Sequence, residues 1–195
     1  MNLSILIPSK DEPKIHDMIA ETEAQFPQAQ IIICNDRDGR GKGWAVRTAL
    51  AEATGDVICF IDGDLDIHPS QIKRLIPFIA DYDVVVGEKM VRGSRGRRWV
   101  TRLSRIYLHL FFGFDYDTQT GIKLFRRYSL LPWHCDNFMF DLEILCNARR
   151  KGLQIINVPV EVTDYGSSSK PMRFRHIIKC LRESLNIWFD QNVTP

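Results

Sequence analysis

The sequence predicts an α/β domain built on a mostly parallel sheet with helices on both faces. Short apolar runs rich in β-branched residues recur along the first half of the chain, as in buried strands. Helical segments separate these runs, and such alternation is typical of a parallel sheet with right-handed crossovers. The length of 195 residues, with 45% hydrophobic residues, fits one domain with a full core, which we assign to residues 1–195.

Prolines and glycines place the ends of the predicted elements. Pro8 stops the first strand, Gly55 ends an alanine-rich helix and Pro69 opens the next helix. Gly152 closes a helix in the second half, where the alternation is less regular. The predicted strands are 3–7, 31–34, 57–61, 84–86, one entered from a turn within 117–127 and one within 153–162; the predicted helices are 14–26, 45–53, 69–79, 138–151 and 174–189.

Three aspartates follow the strand predicted at 57–61. Asp62, Asp64 and Asp66 are spaced two apart, so on an extended backbone their side chains can point the same way. They lie at the carboxyl end of a strand, where open α/β sheets bind ligands. Carboxylate oxygens suit Mg²⁺ or Mn²⁺, which complete their shells with water and substrate phosphates. We therefore expect a divalent metal at these acids, and a solvated acidic turn is the alternative.

Other segments narrow the class of protein. The glycine-rich segment 37–43 lacks the spacing of a Walker A loop, so it is either a flexible turn or a loop that brings Lys42 to a phosphate. Five scattered cysteines without a C-x-x-C pair favour buried reduced thiols in a cytosolic protein over a zinc site. No signal peptide is evident, and no apolar run approaches the roughly 20 residues that cross a bilayer.

The charge distribution is uneven along the chain. The net charge of +2 is too small to indicate nucleic acid, no nucleic-acid motif is evident, and we expect no such partner. Residues 92–114 begin with six arginines and continue with aromatic and aliphatic side chains. This pattern fits a helix packed on the sheet with a solvated basic end, or a helix lying on anionic lipid head groups. We therefore treat 92–114 and 173–190 as candidate membrane-interface helices.

An ordered set of short motifs resembles a known family. The set begins with I-L-I-P-S-K-D-E, I-I-C-N-D, G-K-G and G-D-V-I-C-F-I-D-G-D-L-D-I-H-P. It continues with D-T-Q-T-G-I-K-L-F-R-R, F-D-L-E-I-L, V-P-V-E-V and G-S-S-S-K. In this order the motifs resemble the family 2 glycosyltransferases of the GT-A fold, which is Rossmann-like. The branch they resemble most is that of the polyprenyl-phosphate hexosyltransferases, such as dolichyl-phosphate mannose synthase and dolichyl-phosphate glucosyltransferase.

The resemblance implies an inverting, metal-dependent enzyme that uses a UDP- or GDP-linked sugar. Asp36 would accept a hydrogen bond from the base, Asp62 would face the ribose and diphosphate, and Lys170 would close over the diphosphate. Asp64 would bind the metal as a catalytic residue. Asp117 would orient the acceptor, act as a base or cap its turn. The donor-binding residues implied in this way are Pro8, Ser9, Glu12, Asp36, Asp62 and Lys170, and the metal-binding residues are Asp62, Asp64 and Asp66.

The acceptor implied by the resemblance is a polyprenyl phosphate. Lys89, Arg98 and Arg102 are candidates for a cationic path for its phosphate, although Lys89 stands in G-E-K where relatives often have G-S-R. The T-Q-T-G-I turn and F-D-L-E favour the glucosyl-type branch. We expect a peripheral protein on the cytoplasmic membrane face. Two alternatives remain open: transfer to a soluble or glycan hydroxyl, with Asp117 as a true base, and a non-catalytic, membrane-peripheral binder of nucleotide sugars.

Overall fold

The computed structural model describes residues 1–90, 95–116, 118–163 and 174–193. Within its helices, the side chains of 95–101, 174–176 and 191–193 lie outside that description. Asp117 and Lys170 therefore lie outside the described residues, as do the side chains of Arg98 and Trp99. The predictions made for these residues rest on the sequence alone.

The described part of the chain forms a six-stranded sheet in the order β2-β1-β3-β5-β4-β6. β1 pairs in parallel with β2 and β3, and β4 pairs in parallel with β6. β5 is antiparallel to both β3 and β4, so the sheet is mostly parallel, as predicted. The strands are β1 Leu3–Ser9, β2 Gln30–Asn35, β3 Val57–Ile61, β4 Val84–Lys89, β5 Ile122–Arg126 and β6 Ile155–Val160.

The helices differ from the predicted ones mainly where proline and glycine intervene. The helix predicted at 69–79 is a short helix between two 3₁₀ turns, because Pro77 cannot donate the hydrogen bond that a continuous helix needs. The helix predicted at 45–53 starts three residues earlier, directly after Gly41. The helices are α1 Ile15–Gln25, α2 Lys42–Leu50, α3 Ile72–Leu75, α4 Arg95–Phe112, α5 Phe140–Arg150 and α6 Phe174–Val193.

Side chains of the central strands alternate between two cores, one on each face of the sheet. On one face, Leu6, Phe60 and Phe125 pack with residues of α2, α4, α5 and α6. On the other face, Ile5, Cys59 and their neighbours pack with residues of α1 and α3. This period-two burial confirms helices on both faces and explains the near-continuous apolar runs of the parallel strands.

The sheet topology brings the predicted site residues to one edge. β1, β2 and β3 are parallel, so the segments that follow Ser9, Asn35 and Ile61 leave the sheet at the same end. β5 runs the opposite way and begins at that end, where the Asp62 amide donates to the Gly121 carbonyl at 2.8 Å. The turn before β5 therefore lies directly beside the first of the three acids.

Candidate active site

A cleft of about 520 Å³ opens at the carboxyl ends of β1, β2 and β3. It brings together residues from five separate parts of the sequence, three of which are the ends of parallel strands with the loops that follow them. Most of the donor-side residues named above line it. The lining comprises Pro8, Ser9, Lys10, Glu12, Cys34, Asp36, Gly39, Gly41, Lys42, Ala45, Asp62, Gly63, Asp64, Asn137, Phe138 and Lys179.

Asp36 is buried at the end of β2 and holds the glycine-rich loop. Its two carboxylate oxygens each lie 3.1 Å from the Gly41 amide, and its own amide donates to the Ser9 carbonyl at 3.1 Å. Gly41 has a φ of +124°, and a Cβ there would stand 2.1 Å from the Asp136 carbonyl oxygen, so only glycine fits. An ionised carboxylate has about four acceptor sites, so Asp36 retains capacity for a ligand N–H.

Lys42 begins α2 and reaches across the cleft floor. Its Nζ lies 2.5 Å from Asp62 Oδ1 and 5.7 Å from the centre of the Phe140 ring. Burial lowers the pKa of Lys42, but the carboxylates of Asp62, Asp141 and Asp64 outweigh burial and raise that pKa above its ordinary value. Lys42 is therefore a fixed cation beside the acids. Of the two interpretations of segment 37–43, this contact favours the loop that carries a functional lysine.

The three acids after β3 have three different partners. Asp62 contacts Lys42, Asp64 accepts from the Asp66 amide at 3.0 Å, and Asp66 lies 3.7 Å from Lys89 Nζ. Leu65 adopts a left-handed backbone with φ +59°, so the chain is not extended between Asp64 and Asp66, as the expected shared face requires. Across the part of the chain that is described, no group of three His, Cys, Asp or Glu side chains is arranged to hold a metal ion.

Two of these carboxylates nevertheless fit a divalent cation. Burial, followed by the nearby Asp62 and Asp66 carboxylates, raises the pKa of Asp64, while the Asp66 amide and Lys89 lower it. Asp66 Oδ1 is buried and has no hydrogen-bond partner among the described residues. Magnesium and manganese are commonly held by one or two carboxylates, with substrate phosphates and water completing the shell. Asp64 and Asp66 offer oxygens of this kind.

Of the candidate acceptor residues, Lys89 at the end of β4 lies next to the acids. Lys89 contacts Asp66, while Arg105 donates to Glu88 Oε1 at 2.6 Å and so ties α4 to the end of β4. Arg102 is exposed one turn earlier on α4. Arg105 is one of six arginines in this stretch. Nothing in the sequence distinguishes it from the other five as the residue that anchors the helix.

Helices α4 and α6 pack together and share an exposed apolar surface. Tyr107 and Ser184 are hydrogen-bonded at 2.9 Å, and the Phe111 and Trp188 ring centroids are 6.2 Å apart. No helix in the described ranges is long and apolar enough to span a bilayer. The interface surface is defined here by its exposed apolar residues, Leu103, Ile106, Leu110, Phe111, Ile177, Ile178, Leu181, Leu185 and Phe189.

The fold and the cleft define the class of protein. The chain resembles the crystal structure of Mycobacterium tuberculosis glucosyl-3-phosphoglycerate synthase in complex with Mn²⁺, UDP-glucose and phosphoglyceric acid. The TM-score is 0.78 at 19% identity, over 100% of this chain and 80% of that chain. The fold is therefore that of the GT-A glycosyltransferases, as predicted. The family description "Glycosyl transferase family 2" matches residues 14–144, and the chain belongs to this family.

Curated relatives point to one branch of the family. A dolichyl-phosphate beta-glucosyltransferase of Trichomonas vaginalis is 28% identical over 81% of this chain and 52% of its own length. The Saccharomyces cerevisiae dolichyl-phosphate beta-glucosyltransferase is 29% identical over 73% of this chain and 50% of its own length. A Micrococcus luteus undecaprenyl-phosphate mannosyltransferase is 23% identical over 70% of this chain and 62% of its own length. The chain spans about half the length of the glucosyltransferases it matches. The names of these relatives confirm the predicted resemblance to the polyprenyl-phosphate branch.

Proposed function

We propose that this chain transfers a hexose, with inversion, from a UDP- or GDP-linked sugar to a polyprenyl phosphate. The observation that carries the proposal is the contact between Lys89 and Asp66 at the edge of the donor cleft. It puts a cation suited to an acceptor phosphate beside the acids suited to the donor. The names of the relatives, which include glucosyl and mannosyl transferases acting on lipid phosphates, support the same acceptor class.

The proposed reaction needs charge stabilisation more than a base. An oxygen of the acceptor phosphate attacks the anomeric carbon while the bond from that carbon to the diphosphate oxygen breaks. The nucleoside diphosphate leaves with the bonding electrons, and no proton is transferred because the acceptor phosphate is already an anion. Lys42 is placed to stabilise the charge that develops on the leaving diphosphate. A divalent metal held by Asp64 with Asp62 or Asp66 would supply further stabilisation of that charge.

The other donor-side residues bind and orient. Asp36 would accept the ring N–H that both uracil and guanine offer, so this contact does not choose between them. Pro8, Ser9 and Glu12 line the same end of the cleft and would flank the nucleotide. For Asp117 and Lys170 we propose the roles implied by their motifs: Asp117 would act on the acceptor side and Lys170 would close over the diphosphate.

We further propose that residues 1–195 form one catalytic domain. The interface surface of α4 and α6 would lie on an anionic membrane. Large contiguous apolar patches on a soluble protein usually mark an interaction site. The arginines at the start of α4 suit the negative head groups of a cytoplasmic leaflet. Docking in this way would bring the lipid phosphate towards Arg98, Arg102 and Lys89.

Donor and metal requirements are tested by one assay. Short-chain polyprenyl phosphate is incubated with a panel of UDP- and GDP-sugars, and lipid-linked sugar is followed by mass. Asp64→Asn, or chelator added to the wild type, should lower turnover by about 100-fold or more, as expected when a charge-stabilising contact is lost. The exposed Asp81→Asn serves as the matched control and should remain active. Near-normal turnover by Asp64→Asn would refute the metal role.

The acceptor is tested by charge reversal on α4. Arg98→Glu/Arg102→Glu should abolish binding to anionic liposomes and raise the KM for polyprenyl phosphate, while nucleotide affinity is unchanged. Arg150→Glu/Lys151→Glu, at the exposed end of α5, controls for the change in net charge. If liposome binding and lipid KM both stay at wild-type values, the membrane proposal fails and transfer to a soluble or glycan hydroxyl replaces it.

A further inference from the structure

A buried ion pair lies beneath the candidate active site. Lys123 of β5 and Asp141 in the first turn of α5 are 2.9 Å apart, with side chains only 2% and 7% exposed. Lys123 Nζ also donates to the Thr120 carbonyl at 2.6 Å. The Asp141 carboxylate also contributes to the raised pKa of Lys42, so the pair is electrostatically linked to the cleft.

Stability does not account for burying these charges. Removing two charges from water costs several kcal/mol per ion, and their attraction often only offsets that cost. Apolar residues of similar volume commonly serve as well or better in such a position. The neighbours of Lys123 on β5, Ile122 and Leu124, are fully buried apolar residues. Burial on this strand is therefore otherwise achieved without charged side chains.

The placement of the pair suggests what it holds. Through Thr120, Lys123 fixes the turn of residues 118–121 that precedes β5. That turn presses against the first acid, because Asp62 donates its amide to the Gly121 carbonyl at 2.8 Å. A Cβ on Gly121 would stand 2.3 Å from Asp62 Oδ2, so the two residues are in close contact.

The other partner reaches the donor side of the cleft. Asp141 follows Phe140, whose ring lies 5.7 Å beneath Lys42 Nζ. Phe140 also packs against Gly43, where an added Cβ would stand 2.7 Å from the Phe140 Cβ. The start of α5 is thus packed against the start of α2. The ion pair therefore joins the element that supports Lys42 to the turn that abuts Asp62.

We propose that Lys123 and Asp141 are a positioning pair that fixes the turn 118–121 relative to Asp62 and Lys42. The turn abuts Asp62, so we expect the pair to set the position of this acid relative to Lys42 during transfer. The expected effect of the pair on kcat rests on the proposed glycosyl transfer. Its effect on the position of the turn does not depend on that function.

The test removes both charges together, so that neither is left buried without a partner. Lys123→Met/Asp141→Leu should fold and bind UDP within about twofold of the wild type, with kcat reduced roughly 100-fold, the effect of a misplacement of about 1 Å. Arg74→Met/Glu161→Leu removes an exposed ion pair whose charged atoms lie 2.7 Å apart. Neither residue lines the cleft, so this control should leave kcat unchanged. Asp141→Asn, which keeps an acceptor for Lys123, replaces the double variant if that variant does not fold.

A second measurement does not depend on turnover. Hydrogen exchange at the Asp62 amide reports its bond to Gly121, and the double variant, or Asp141→Asn in its place, should speed this exchange by about tenfold. A folded variant with wild-type kcat and wild-type exchange at Asp62 would overturn the positioning role. If the wild type transfers no sugar from any donor, the proposed function fails, and the exchange measurement alone still decides whether the pair holds the turn.

Discussion

Replacing Lys42 tests the donor side of the cleft most directly. Lys42→Met keeps most of the side-chain length and removes the charge that lies 2.5 Å from Asp62 Oδ1. Two unit charges about 4 Å apart interact by about 4 kcal/mol at an effective dielectric of 20. Lys42 keeps one fifth of its side chain exposed, so screening reduces the value. We expect the loss of diphosphate affinity to be about 1.4–2.8 kcal/mol, or 10- to 100-fold.

Calorimetry with UDP and with uridine separates this effect from general damage to the cleft. UDP should bind Lys42→Met 10- to 100-fold more weakly, because the charge interaction with the diphosphate is lost. Uridine has no diphosphate and should bind both proteins equally. Lys73→Met removes a lysine that contacts Gln25 and the Phe26 ring outside the cleft, and should change neither affinity. The reasoning is refuted if UDP affinity is unchanged, or if uridine loses as much as UDP.

Three further outcomes follow from the contacts around the cleft. Asp36→Ala should weaken UDP and GDP alike by about 1–3 kcal/mol in calorimetry, and unchanged affinity for both would leave Asp36 only its structural bond to Gly41. Gly121→Ala should lower kcat without unfolding the protein, because its Cβ would displace Asp62; wild-type kcat would contradict the close contact. Burial raises the pKa of the Cys34 thiol to about 12, whereas an unfolded thiol ionises at about pH 8.5. Between these two pH values the Cys34 thiol loses its proton only in the unfolded state, so the free energy of unfolding should fall by up to about 1.4 kcal/mol per pH unit. Urea midpoints of Cys34→Ala should therefore fall less steeply with pH than those of the wild type.

Much of the fold was predictable because local signals agree with the global structure. The runs that became β1, β2 and β3 are apolar and bounded by turn residues, and parallel pairing places their following acids at one edge. The direction of β5 was not predictable, since composition does not encode whether a strand runs parallel or antiparallel to its neighbours. The sequence does contain the reason why the helix predicted at 69–79 is broken. Pro77 interrupts its hydrogen bonding, although the apolar periodicity favours a continuous helix.

Other features of the site depend on contacts that no local pattern reveals. A leucine in a left-handed conformation, as at Leu65, has no sequence signature, so the turn between Asp64 and Asp66 could not be anticipated. Lys123 and Asp141 are eighteen positions apart and pair only because α5 packs beneath the start of β5. Lys42 was visible as the lysine of G-K-G, but only the folded chain shows its contact with Asp62.

The antiparallel strand β5 determines where the chain can tolerate changes in length. β1, β2 and β3 form one parallel block, β4 and β6 form another, and within the described sheet β5 alone joins them. Side chains alternate with a period of two, so a one-residue slip of β5 would exchange Leu124 and Phe125 between the two cores and misalign both blocks at once. An insertion in an outer strand, β2 or β6, disturbs one block only. Length variation among homologues should therefore collect at the outer strands and avoid β5.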